Sequence, residues 1–254
     1  MMGAILRVED LSIHIKDRVL IQNVSFDINA GEAVLLSGAN GIGKSTVLKS
    51  ILRLETEGKN ITGSIIHHDY GDVLSIDRDK LQQYRSHVAY VQQKDEYSEM
   101  GNIQVRDIIS ESGEPTSKQS LSYAEVNDLI DEWIPRKSDN TRVFDAKSKP
   151  AKFSGGEQRL LSVLSVIATR SDSDLIIIDE PLNNLDFVNA RNISNVLNKV
   201  IRENPQTGLL MISHCRIFPF ITREIRIASG GIVPVTDNYK CHSCFGAPDS
   251  NGFY

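Results

Sequence analysis

The sequence predicts an α/β protein built on a mainly parallel sheet with both faces covered. Three apolar runs carry that expectation: Ala33-Val34-Leu35-Leu36, Leu175-Ile176-Ile177-Ile178 and Leu209-Leu210-Met211-Ile212. None alternates with polar residues, so each reads as a strand buried on both faces. Each also neighbours a helical pattern, and strands alternating with helices build parallel sheets.

The elements follow in order. Ile5-Leu6-Arg7-Val8, Leu11-Ser12-Ile13-His14-Ile15 and Val24-Ser25-Phe26-Asp27-Ile28 read as short strands. Asn29-Ala30-Gly31-Glu32 is a turn that leads into the first buried strand. Three glycines follow that strand. A helix then begins at Lys44, with Val47, Leu48, Ile51 and Leu52 at helical spacing. From about 69 to 139 the texture changes: 15 acids stand against 8 bases and long apolar runs are scarce. Two helical patterns, around Gln104 to Glu111 and Tyr123 to Trp133, flank a polar Ser-Gly-Glu-Pro-Thr-Ser loop. This stretch reads as a smaller, partly helical subdomain inserted into the core. An amphipathic helix runs from Glu157 to about Arg170, and another from about 186 to 203. The residues from Tyr239 onward are turn-rich and form an appendage.

Composition narrows the classes. A chain of 254 residues suits one large domain or two small ones. With 40% hydrophobic and 24% charged residues it is neither disordered nor fibrous. Lys and Arg number 28 against 33 Asp and Glu, so a net charge of −5 repels a nucleic-acid backbone. Three cysteines are too few for a disulfide framework and fit a reducing compartment. No apolar run approaches the roughly 18 residues of a membrane span, and Met1 to Leu6 is too short for a secretory signal. The expectation is a soluble, cytoplasmic protein whose membrane role, if it has one, runs through a partner.

Three segments carry chemistry. Gly38-Ala39-Asn40-Gly41-Ile42-Gly43-Lys44-Ser45 fits G-x-x-x-x-G-K-[ST] between a strand and a helix. Its glycines let main-chain N–H groups converge, the helix N-terminus adds positive potential, and Lys44 adds a point charge for phosphates. Ser45 can ligate Mg²⁺. Asp179 and Glu180 end the second buried strand, where open α/β sheets bind ligands. There Asp179 suits a magnesium ion held through water, and Glu180 suits a group that polarises an attacking water. Phe153-Ser154-Gly155-Gly156-Glu157-Gln158 opens an amphipathic helix with a second anion-binding N-terminus. One nucleotide needs one phosphate loop, so the second calls for a separate explanation.

That combination resembles the ATP-binding cassette (ABC) ATPases. The resemblance covers about residues 5 to 236 and implies a P-loop NTPase core, an N-terminal antiparallel β subdomain and an inserted α-helical subdomain. The implied cassette is 1–238, with the helical insert at about 94–153 and a tail at 239–254. In the family Ser-Gly-Gly-x-Gln is a signature that grips the γ-phosphate of ATP on the opposing subunit. Tyr90-Val91-Gln92-Gln93 resembles the Q-loop, in which Gln93 aligns with the functional amide and Gln92 is the neighbouring alternative. Pro181-Leu182-Asn183-Asn184-Leu185-Asp186 resembles the D-loop, ending in Asp186, and Met211-Ile212-Ser213-His214 resembles the strand that ends in the switch histidine.

The resemblance implies catalytic roles for Glu180, His214 and Gln93, and a magnesium ion on Ser45, Gln93 and Asp179. ATP would contact Gly38, Asn40, Gly41, Gly43, Lys44, Ser45 and Thr46 in one subunit and Ser154, Gly155 and Gly156 of its mate, with Asp186 beside them. The family usually stacks adenine on an aromatic ring well before the phosphate loop, and here Ser12 to Lys16 offers only His14, whose ring has a smaller face. The other departure is Cys241-His242-Ser243-Cys244, half of a zinc knuckle. A pair of tails, Cys215 or His242 would have to complete it, and the alternative is a plain reduced tail. The implied function is the ATP-hydrolysing subunit of an ABC transporter. It would pair head-to-tail with a second ABC ATPase subunit and drive a transmembrane permease from the inner face of the membrane. The competing readings are a non-transport ABC ATPase acting on nucleic acid, on the ribosome or in cellular defence, and a regulatory subunit that binds ATP without turnover.

Overall fold

A computed structural model describes residues 3–93, 97, 100–112, 121–170, 172–182, 185–213, 218–228 and 230–235. Expectations that fall on His214, Asn183 and Asn184, and on Cys215 and the tail with Cys241, His242 and Cys244, lie outside the described residues. So does most of the polar loop that follows Ser112.

Two sheets organise the fold. A six-stranded sheet has the order β10-β9-β3-β8-β7-β6, formed by Gly231–Val233, Arg223–Ala228, Ala33–Gly38, Gly208–Ile212, Leu175–Asp179 and Val88–Val91. Its strands pair in parallel from β9 through β6, and β10 closes the edge antiparallel to β9. A four-stranded antiparallel sheet has the order β2-β1-β4-β5, formed by Arg18–Asn29, Ala4–Ile15, Lys59–His67 and Gly71–Asp72. The α/β class and the N-terminal antiparallel subdomain are as expected.

The period of two in a strand explains why the central runs are wholly apolar. Leu175 and Ile177 of β7 pack with helix α1 (Lys44–Ile51) and the antiparallel sheet. Ile176 and Ile178 pack on the other face against α3 (Val105–Ser112), α4 (Tyr123–Trp133), α5 (Gly155–Thr169) and α6 (Phe187–Glu203). Val34 and Leu36 of β3 divide from Ala33 and Leu35 in the same way. A strand with helices or sheet on both sides has no face left for polar residues.

Three sequence expectations need correction. Ile5 to Val8 and Leu11 to Ile15 are one strand, β1, because a bulge accommodates Asp10 at φ 48 and the chain bends without leaving the sheet. The stretch 69–93 does not belong to the inserted helical subdomain. It supplies β5, helix α2 (Arg78–Ser86) and β6, the edge of the main sheet. Helix α5 starts at Gly155 rather than Glu157, because Ser154 caps it: the Glu157 N–H donates to Ser154 Oγ, and the Ser154 N–H donates back to the Glu157 carboxylate.

The bulge between β1 and β4 depends on Gly63. Its φ is +96°, and a Cβ there would lie 2.5 Å from the Glu9 carbonyl oxygen and 2.6 Å from that of Asp10. Neither backbone atom can swing away. Gly63→Ala is expected to lower stability by about 2–4 kcal/mol through overpacking and strain, measured by urea unfolding. Wild-type stability would show that β4 can slide past β1.

Candidate functional site

The Gly-rich loop joins the carboxyl end of β3 to α1. Gly38 has φ +148°, and a Cβ there would sit 2.5 Å from the Ile227 carbonyl oxygen of β9, so only glycine fits. Helix α1 begins on Gly43, in a left-handed conformation and with no side-chain cap. By contrast α2, α4, α5 and α6 all start on a capping Asp or Ser. The leading N–H groups of α1 are therefore not taken up by a side chain, and they carry the positive end of the helix dipole. Lys44, 5% exposed, folds back so that its Nζ donates to the carbonyls of Gly38 (2.9 Å) and Ala39 (3.0 Å). Burial holds its pKa below the ordinary lysine value, while the charges of Glu180 and Asp179 pull the other way.

β7 delivers the carboxylates. Ser45 Oγ donates to Asp179 Oδ1 at 3.2 Å. Burial pushes the Asp179 carboxyl above the usual carboxylate range, with the Ser45 hydrogen bond opposing and the Glu180 charge adding. Glu180 leaves the strand at φ 50, an uncommon conformation for a non-glycine residue, and its N–H donates to the Ile212 carbonyl at 3.0 Å. Gln93, just beyond β6, donates from Nε2 to Glu180 Oε2 at 2.9 Å. Of the two adjacent glutamines, Gln93 is the one that reaches the carboxylate.

One cleft of about 490 Å³ has Leu20, Asn40, Gly41, Gly43, Lys44, Ser45, Thr46, Gln93 and Glu180 in its wall; Gly38 and Asp179 are not part of that wall, and Asp179 meets it through Ser45. The size suits a small molecule. Hard oxygen donors at Ser45 and Asp179 suit Mg²⁺ better than a softer metal. His14 is not in that lining. It sits across the β1–β2 hairpin from Val19, while Leu20 reaches the cleft. Leu20 carried no signal in the sequence, because an apolar residue in a strand looks like core.

Ser154, Gly155 and Gly156 are likewise outside this cleft's wall. Ser154 and Gly155 are exposed, and a Cβ at Gly155 would meet nothing within 4 Å. Gly156 packs against α6, where a Cβ would lie 2.4 Å from Asn189 Nδ2. Asn189 in turn donates to the Asp186 carboxylate, which caps α6. The second helix tip and the acidic end of the D-loop segment thus form a joint surface apart from the phosphate loop.

A family model described as ABC transporter matches residues 21–183, more than half of the chain. This chain is an ATP-binding cassette of the ABC transporter family. The cassette is 29% identical over 253 residues to a putative ABC transporter ATP-binding protein, BL0043, of Bifidobacterium longum, covering 93% of the chain and 31% of that protein. It is 26% identical over 214 residues to the dipeptide transport ATP-binding protein DppF of Lactococcus lactis, covering 83% and 65%. The cassette therefore spans less than two thirds of either relative. A solved ATP-binding cassette of an ABC transporter shares the fold, with a TM-score of 0.68 at 18% identity over 91% of this chain and 90% of that one.

A second residue of the cassette, besides Leu20, carried no signal in the sequence. Arg159 of α5 is 4% exposed, and its guanidinium donates to the carbonyls of Asp179 (2.8 Å), Pro181 (3.3 Å) and Gln92. It ties the helix behind Ser154 to the backbone on either side of Glu180 and beside Gln93. A lone Arg in an amphipathic helix normally reads as surface. Arg159→Met is expected to cost on the order of 2–4 kcal/mol, because it withdraws a charged donor from three carbonyls. Chemical denaturation within about 0.5 kcal/mol of wild type, the range of ordinary surface substitutions, would contradict this bracing role.

Proposed function

We propose that the cassette hydrolyses ATP in a head-to-tail pair and thereby drives a transmembrane permease from the inner face of the membrane. One observation carries the reading: the cleft gathers Lys44, Ser45, Gln93 and Glu180, while Ser154 and Gly155 are exposed at a helix start outside its wall. One chain thus offers a phosphate-binding half-site and, elsewhere, a second anion-binding helix tip. Two chains related head-to-tail would bring one of each together around each nucleotide.

In this reading Lys44 and the N–H groups of Gly41 to Thr46 hold the β- and γ-phosphates, with Gly38 and Asn40 shaping the loop. Ser45, Gln93 and Asp179 would hold Mg²⁺, which supplies charge neutralisation at the phosphates. Glu180, oriented by Gln93, accepts a proton from the attacking water, and His214 contacts the γ-phosphate. Ser154, Gly155 and Gly156 of the mate, with Asp186 beside them, complete the anion cradle. Main-chain N–H groups at that tip favour the charge of the transferring phosphoryl group. Leu20, in the cleft wall, would offer the nucleotide an apolar contact.

No helix among the described residues is long and apolar enough to cross a membrane; in this reading the permease supplies the span. A permease is favoured over nucleic acid by the acidic insert and the net charge of −5. The curated relatives named for transport support the same choice.

Two experiments test the mechanism. Glu180→Gln is expected to retain ATP binding in calorimetry while turnover falls by about 10²–10⁴, the worth of a positioned base. A steady-state rate equal to wild type would remove Glu180 from the proton-accepting role. Ser154→Arg should abolish the ATP-dependent dimer in sedimentation velocity, whereas Ser154→Ala, which removes the hydroxyl but leaves the tip's main-chain N–H groups accessible, should retain it. An intact dimer in the Arg variant would contradict the head-to-tail arrangement.

A further inference from the structure

At the end of β7 remote from the cleft, two histidines converge on one carboxylate. His67 ends β4, His68 follows it, and Asp174 directly precedes β7. Five residues of strand put Asp174 about 16 Å from Asp179. Asp174 Oδ2 lies 3.3 Å from His67 Nε2 and 3.0 Å from His68 Nε2. One potential ligand atom from each residue falls within 4.8 Å of the other two.

Burial makes this more than a surface ion pair. His67 is 0% exposed; its buried Nε2 makes no well-formed hydrogen bond beyond the long 3.3 Å approach to Asp174 Oδ2, and Asp174 Oδ1 is buried without a hydrogen-bond partner. Interiors rarely leave such atoms unsatisfied, because each forfeits its hydration for nothing. The rings of Tyr84 and Tyr70, 5.2 and 5.3 Å from the His67 ring, wall the inner side. His68 is 43% exposed in its side chain and leaves a way in from solvent. The exposed Asp69 carboxylate, 3.4 Å from His68 Nε2, adds negative potential at that mouth.

We propose that His67, His68 and Asp174 bind a divalent transition cation of the zinc class, with the fourth position open to water. Two imidazoles and one carboxylate are the donor set that zinc accepts, and three protein ligands plus water is a known coordination for it. Mg²⁺ and Ca²⁺ prefer all-oxygen ligands. A cation between the three atoms gives His67 Nε2 a partner and lets both imidazoles share Asp174 without competing for one oxygen. In the metal-free form the Asp69 N–H faces His67 Nδ1 at 3.3 Å. Coordination through Nε2 moves the ring proton to Nδ1 and gives up that long hydrogen bond in exchange for the metal bond. A metal here would staple β4 of the antiparallel sheet to β7 of the main sheet, at the end opposite the nucleotide.

The test uses the full chain, nucleotide-free and chelator-stripped, with Cys241→Ser and Cys244→Ser so that tail thiolates take no part. Titration with Zn²⁺ in a calorimeter should show one bound equivalent and a raised thermal midpoint. The affinity should fall at least about tenfold in His68→Ala and in Asp174→Asn, each checked for folding by circular dichroism. No binding at millimolar Zn²⁺, or an affinity that neither variant changes, would overturn the proposal.

Discussion

A buried ammonium held only by main-chain carbonyls and the charges of nearby acids is the constraint around which the nucleotide site is arranged. Lys44 is withdrawn from water into the loop that β3 and α1 form, and its hydrogen bonds go to Gly38 and Ala39. Removing a charge from water is costly, and carbonyl dipoles offset that cost only in part. A polyanion with a shape that reaches Lys44 and the uncapped start of α1 at once satisfies both. Gly38 and Gly43 matter because their backbone conformations bring those groups together. The site is thus built before ligand arrives, and ordering it need not draw on binding energy.

β7 links the parts of the molecule. Its alternate residues hold the helical layer on one face and α1 with the antiparallel sheet on the other. Its carboxyl end places Asp179 beside Ser45 and turns Glu180 into a strained conformation facing Gln93. Arg159 then fastens this turn to α5 from behind. The same helix that exposes Ser154 and Gly155 is therefore braced against the backbone that carries its own chain's Asp179 and Glu180. In the proposed head-to-tail pair, such a brace would connect each cleft mechanically to the tip offered to the other chain.

Much of the fold was legible because burial on both faces leaves a plain mark. β3, β7 and β8 were readable as unbroken apolar runs, and α5 and α6 as helical patterns, while the Ser154 and Asp186 caps that start them emerged from the fold. β4 was not, because most of its residues are exposed or half-buried and Gly63 interrupts it. In α2 only Tyr84 is buried, so a nine-residue helix shows almost no apolar periodicity. Within the site, the phosphate loop, Asp179 and Glu180 carry their chemistry in their residue types and spacing, whereas Gln93 came from the family resemblance, with Gln92 as the neighbouring alternative. Leu20 and Arg159 carry no such signal: one passes for core and the other for surface, and only the fold shows what each touches. His14 failed as a guide to the cleft because the hairpin turn sets which residue of β1 or β2 reaches the loop.

In the proposed pair two chains hold the triphosphate between them, and a crystal structure of the full chain with ATP and Mg²⁺ is the decisive experiment. The predicted result places the β- and γ-phosphates within hydrogen-bonding distance of Lys44 Nζ and the first turn of α1, with the Ser154–Gly156 tip of a second molecule on the far side of the γ-phosphate. ATP bound with no second helix tip near its phosphates, in any neighbouring molecule, would contradict it.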